Sequence, residues 1–170
     1  MNSEFSKPVK AGHIHGEPQH FTLEAGEEAR AALARRFSLP NIAQLSGQFT
    51  LRHERGGVIS AQLVMRARVT QLCVITNEPF EVDIAEQAEL RFVPAESLTE
   101  EEDFGPDSLA APDEIPYEND VIDLGEALAE QLALALDPYP RKPGAVLPGE
   151  ATDDETGPFA ALKGKFGKLS

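Results

Sequence analysis

Tryptophan is absent from this chain, cysteine occurs once, and tyrosine twice among 170 residues. A single cysteine excludes an internal disulfide and fits a reducing compartment. No apolar run approaches the roughly 18 residues that cross a bilayer, so no membrane partner is expected. The opening MNSEFSKPVKAGHIHGEPQH has no apolar stretch of signal-peptide type, which makes a soluble, cytoplasmic protein the expectation. Glycine-rich phosphate loops, HExxH and GxSxG are all missing. With them goes any obvious enzyme class, cofactor site or small-molecule substrate. Positive charge is missing from one long stretch: residues 94–140 hold fourteen Asp and Glu and no Lys or Arg. The net charge of −14 is therefore uneven. Nucleic-acid binding relies on cations that displace counterions from phosphates, so the middle of the chain should repel RNA and leave contact to the two ends.

What is present begins with Leu63 to Phe92, LVMRARVTQLCVITNEPFEVDIAEQAELRF. Leu63, Met65, Ala67, Val69, Cys73 and Ile75 take the odd positions. Phe80, Val82, Ile84, Ala88, Leu90 and Phe92 take the even ones, with polar residues between. Strand side chains alternate faces, so this reads as a hairpin with one apolar face. A turn centred between Asn77 and Glu78 sets Ile75 opposite Phe80, Cys73 opposite Val82, Met65 opposite Leu90 and Arg66 opposite Glu89. Upstream, Gln48 to His53 alternates again before Arg55-Gly56-Gly57. Counting about Gly56 places Leu51 opposite Ala61 and Phe49 opposite Leu63. The sum is an antiparallel meander whose apolar face needs a cover.

Two helices are expected. GEEARAALARRF, residues 26–37, has Glu27 and Glu28 in its first turn, where the dipole favours anions. Its Arg30, Arg35 and Arg36 read as a solvated face or as a small basic patch for RNA or an acidic partner. The second helix follows Val121-Ile122-Asp123-Leu124-Gly125-Glu126, with Asp123 as cap and Glu126 reaching back to the backbone. Its wide apolar girth, including Leu128, Leu132 and Ala135, should lie on the meander. Asp137-Pro138-Tyr139-Pro140 ends it. The expected organisation is a flexible tail over 1–20, one α+β domain over 21–142 with an acidic loop at 94–120, and a flexible tail over 143–170. The fold class is an antiparallel meander or partly open barrel packed against a buried C-terminal helix and an N-terminal helix.

Candidates for chemistry are few. His13-Ile14-His15 with His20 lacks the further ligands of a metal site. Cys73 sits on an apolar strand face with no histidine near it in sequence, as an inert buried cysteine does. The closing GPFAALKGKFGKLS interleaves Phe159, Leu162, Phe166 and Leu169 with Lys163, Lys165 and Lys168. That pattern suits either a disordered end or a linear motif that folds on a partner or touches RNA.

Two segments carry a family resemblance: Cys73-Val74-Ile75-Thr76-Asn77-Glu78-Pro79-Phe80 with the strand ending Leu90-Arg91-Phe92, and Ile122-Asp123-Leu124-Gly125-Glu126 with Glu130 and Asp137-Pro138-Tyr139-Pro140. In order and spacing they resemble the YceD family of large ribosomal RNA subunit accumulation proteins, over roughly residues 20–145. The closing Pro-Phe-Ala-Ala-Leu-Lys also looks like the end of a branch of that family. The resemblance implies a non-enzymatic factor for accumulation of large-subunit (23S) ribosomal RNA, with a ribosomal precursor, protein or RNA, as partner. It implies structural roles for Cys73, Thr76, Pro79, Phe80, Asp123, Leu124, Glu126, Pro138 and Pro140. Many members carry a Cys-x-x-Cys pair at the turn. Thr76 stands at the second position here, which argues against a zinc or redox role for Cys73. An acidic adaptor unrelated to ribosomes is the alternative reading.

Overall fold

The computed structural model describes residues 4–97 and 112–147. Along the chain run β1 (Pro8–Lys10), β2 (Gln19–Glu24), α1 (Glu27–Arg36), β3 (Asn41–His53), β4 (Ile59–Leu72), β5 (Pro79–Pro94), β6 (Asp113–Tyr117), β7 (Val121–Asp123) and α2 (Leu124–Ala135). Five strands form one open sheet in the order β2-β3-β4-β5-β6, and β1 pairs with β7 in a separate ribbon. All neighbours in the sheet are antiparallel except β5 and β6. The architecture is α+β, with a sheet that does not close.

The first hairpin has the expected register, Leu51 opposite Ala61 and Phe49 opposite Leu63. The second differs. Leu72 pairs with Pro79, Met65 with Glu86 and Ala61 with Leu90, four residues away from the expected pairing. Arg66 consequently faces Ala85 rather than Glu89, and the cross-strand ion pair on the wet face is Arg68 with Asp83 at 2.7 Å. The reason lies in the turn. Cys73 N–H donates to the Glu78 carbonyl (2.9 Å) and its carbonyl accepts from Asn77 N–H (2.8 Å), so six residues, not two or four, form the loop. A shift of four preserves parity, which is why the same side chains still face the core. Cys73 and Ile75 belong to this loop and not to a strand.

Residues 8–20 correct the expectation of a polar tail over 1–20. β1 is held against β7, β2 forms the outer strand beside β3, and Ala11 and Ile14 between them are buried. The sequence signal there was weak because β1 has three residues and the short 3-10 turn after it, Ala11–His13, exposes its histidine. Within the stretch expected as an acidic loop, β6 lies parallel to β5, with Pro116 on the outermost strand, where a missing N–H costs the ladder nothing. The Tyr117 hydroxyl donates to the Gly57 carbonyl at 2.6 Å. Residues 98–111 of that loop and residues 148–170 of the expected C-terminal tail lie outside the described residues.

α2 roofs the apolar face. Leu124, Leu128 and Leu132 repeat every four residues, and all three are buried with Ala127 and Ala129. Leu128 rests on the strand backbone at Gly47, where a Cβ would fall 2.8 Å from Leu128 Cδ1; only glycine leaves that space. Each buried leucine contributes about 1.5–3 kcal/mol. α1 packs beside β3 through Leu33 and Ala34, while Ala29, Ala32 and Phe37 are half-buried and Arg36 is exposed.

Candidate partner-binding surface

The two ends of α2 show what the motif residues do. At its start the Asp123 carboxylate accepts from Gly125 N–H (3.0 Å), Glu126 N–H (3.1 Å) and Lys7 N–H (2.8 Å), and from the Ser6 hydroxyl. An N-cap of this kind satisfies orphan helix donors, and here the same carboxylate also fastens the N-terminal segment. Gly125 completes the fit, since a Cβ there would lie 2.5 Å from the Phe5 carbonyl oxygen. Glu126 meets Arg36 of α1 in a two-pronged pair, 2.7 and 3.1 Å. That hydrogen bond raises the Arg36 pKa further. Glu130, one turn on, has its carboxyl raised chiefly by burial, with Glu126 adding to the effect.

At its exit α2 returns to the β4–β5 loop. Gln71, the one buried polar side chain among the described residues, donates from Nε2 to the Asp137 carbonyl at 3.0 Å. Val74 N–H donates to the Pro140 carbonyl at 2.9 Å, and Lys142 Nζ donates to Glu78 Oε2 at 2.8 Å. The latter bond holds the Glu78 carboxyl below the usual carboxylate range. Tyr139 N–H caps the turn on Asp137 Oδ1 at 2.9 Å. The two motif stretches, far apart in sequence, thus close on one another.

Cys73 lies inside this junction with 1% of its surface exposed. The Thr76 hydroxyl favours its thiolate most, and backbone N–H groups of Lys142, Thr76 and Ile75 add to that. Burial opposes ionisation. These donors together outweigh it, and the thiol falls to about 7. Thr76 therefore supplies a hydrogen bond to the sulfur. Described histidines stand elsewhere: His20 Nδ1 meets Thr50 Oγ1 at 3.1 Å, the carbonyls of His13 and His15 accept from Gln19 and His53, and His53 ends β3 opposite Ile59. Thr50 pairs with Gln62, ten residues from Leu72, or about 30 Å along the strand. No described group of three His, Cys, Asp or Glu is arranged to hold a metal ion.

The arginines of α1 do not form a free cationic patch. Arg30 Nη1 donates to the Ala25 carbonyl at 2.8 Å. Arg36 is held by Glu126 and, at 3.4 Å, by Glu4, and stacks over Phe37. Arg35 lines a shallow depression together with Glu4, Glu27 and Glu28. Lys163, Lys165 and Lys168 lie outside the described residues. Pro79 and Phe80 open β5, Leu124 is buried, and Pro138 and Pro140 shape the α2 exit.

Sequence reasoning missed the apolar surface over the junction. Leu72, Val74, Leu134 and Tyr139 are 44%, 54%, 71% and 72% exposed. A usable signal existed at Gln71, an amide on the apolar parity of β4, which needs a partner from another element. Among the described residues, no helix is long and apolar enough to cross a membrane. A family model described as large ribosomal RNA subunit accumulation protein YceD matches residues 61–164. The match starts in β4 and takes in both motif stretches, while β1 to β3 and α1 precede it. No curated protein and no solved structure matches the chain.

Proposed function

Because this chain belongs to the YceD family, the large ribosomal RNA subunit accumulation proteins, we propose that it is a ribosome-biogenesis factor that sustains large-subunit (23S) RNA. In this reading it works in the cytoplasm by binding a large-subunit precursor, mainly through protein contacts, and makes or breaks no bond. The family match over the junction carries the reading. Two features of the site support binding over chemistry. The Cys73 sulfur is shielded and its acceptor positions are taken by N–H and hydroxyl donors, whereas a nucleophile needs access and a base. Fourteen carboxylates without a cation over residues 94–140 oppose phosphate contact and favour basic protein surfaces.

Depletion of the protein tests this. Large-subunit RNA and free large subunits should fall relative to small-subunit RNA, and re-expression should restore them. An unchanged ratio would refute the proposal.

A further inference from the structure

We propose that the end of the molecule where the β4–β5 loop meets the exit of α2 is a docking site for a cationic protein segment bearing an apolar anchor. This rests on the reading of the chain as a large-subunit factor and names the surface through which it acts. Exposed large apolar side chains are concentrated there. Of the eight among the described residues, Val74 falls on the loop, Leu134, Tyr139, Val146 and Leu147 on the last turn of α2 and the chain just after it, and Leu72 on the last position of β4, next to the loop.

The patch is held stiffly from beneath. Val74 N–H on the Pro140 carbonyl, Gln71 Nε2 on the Asp137 carbonyl and Lys142 on Glu78 fix both sides of the junction. Asn77 takes a left-handed backbone at φ 56° to close the loop. A backbone so tied down that still presents Val74 and Tyr139 to water is pre-organised for contact, which lowers the ordering cost of binding.

Charge selects the occupant. Glu130 and Asp137 flank Leu134 in sequence. Lys142 is neutralised by Glu78, leaving Arg141 as the one local cation without a described ion pair. A single such arginine against the carboxylates of Glu130 and Asp137 suits a basic peptide better than a phosphate backbone. The aromatic ring of Tyr139 then serves as the kind of anchor that dominates protein interfaces.

The test uses the full-length protein with a photoreactive p-benzoylphenylalanine at Tyr139, and a control with it at Gln48 on the open sheet face. One arm supplies proteins stripped by high salt from purified large subunits and freed of RNA; the other supplies protein-free large-subunit RNA. The expected result is a Tyr139 adduct with a strongly basic protein in the first arm, absent from the Gln48 control. Val74→Asp should cut the yield about tenfold or more. Leu134→Asp should do the same, so that a folding defect in one variant does not decide the matter. An adduct with RNA, with a second copy of this chain, equally from Gln48, or no adduct at all would overturn the inference. Failure here with a lowered RNA ratio on depletion would remove only the docking surface. An adduct with an unchanged ratio would remove only the ribosomal role.

Discussion

Cys73 and Thr76 show how one substituted position changes what a thiol can do. With a hydroxyl at position 76, the sulfur gains a donor instead of a second sulfur, and three backbone N–H groups complete its surroundings. These donors stabilise the thiolate, so the folded thiol titrates at about 7, below the ordinary value of about 8.5 for an unfolded cysteine. A group whose folded pKa is depressed contributes stability that is fully present above its unfolded pKa and is lost as pH falls through its folded pKa. The thermal midpoint of the wild type should therefore rise between about pH 7 and 9 relative to Cys73→Ser. Titration of thiolate absorbance should give a midpoint near 7 in the wild type and a higher one in Thr76→Val. Coincident titrations in the two proteins would contradict the hydrogen bond from Thr76.

Among the elements, α2 buries Leu124, Leu128 and Leu132 on a sheet face that α1 and the N-terminal segment also help to cover. Leu132 and Leu134 are two residues apart and point opposite ways, the first fully buried and the second mostly in water. Leu132→Asp places an unpaired carboxylate in the core and should unfold the protein. Leu134→Asp should move the thermal midpoint by no more than about 0.5 kcal/mol equivalent. Equal effects from the two would refute the placement of the helix. Much of this was legible in the sequence: period-two alternation marked the apolar faces of β4 and β5, and Asp123 marked the start of α2. Partner positions across the second hairpin were not legible. The six-residue loop is closed by Cys73 bonding to Glu78 and Asn77 and is braced by the Pro140 and Asp137 carbonyls, some sixty residues away, which accept from Val74 N–H and Gln71 Nε2; no local pattern encodes those long-range partners. β1 and β2 were missed for a related reason, since short strands are held by β7 and β3 and not by their own composition. The arginines of α1 were legible as charges, but the pairing of Arg36 with Glu126 and of Arg30 with the Ala25 carbonyl is a tertiary fact.

At the scale of the whole molecule, the sheet and its helical roof bring two distant motif stretches to one rigid end. In the proposed reading, the acidic stretch that leads into that end disfavours nucleic acid and favours basic protein. The claim that joins fold to function is that large-subunit RNA accumulates because this end is occupied. Its most direct test is the ratio of large- to small-subunit RNA in depleted cells resupplied with variants at equal levels. Cys73→Ser should restore the ratio, whereas Val74→Asp, folded to the same thermal midpoint, should leave it low. Full restoration by Val74→Asp would contradict the account.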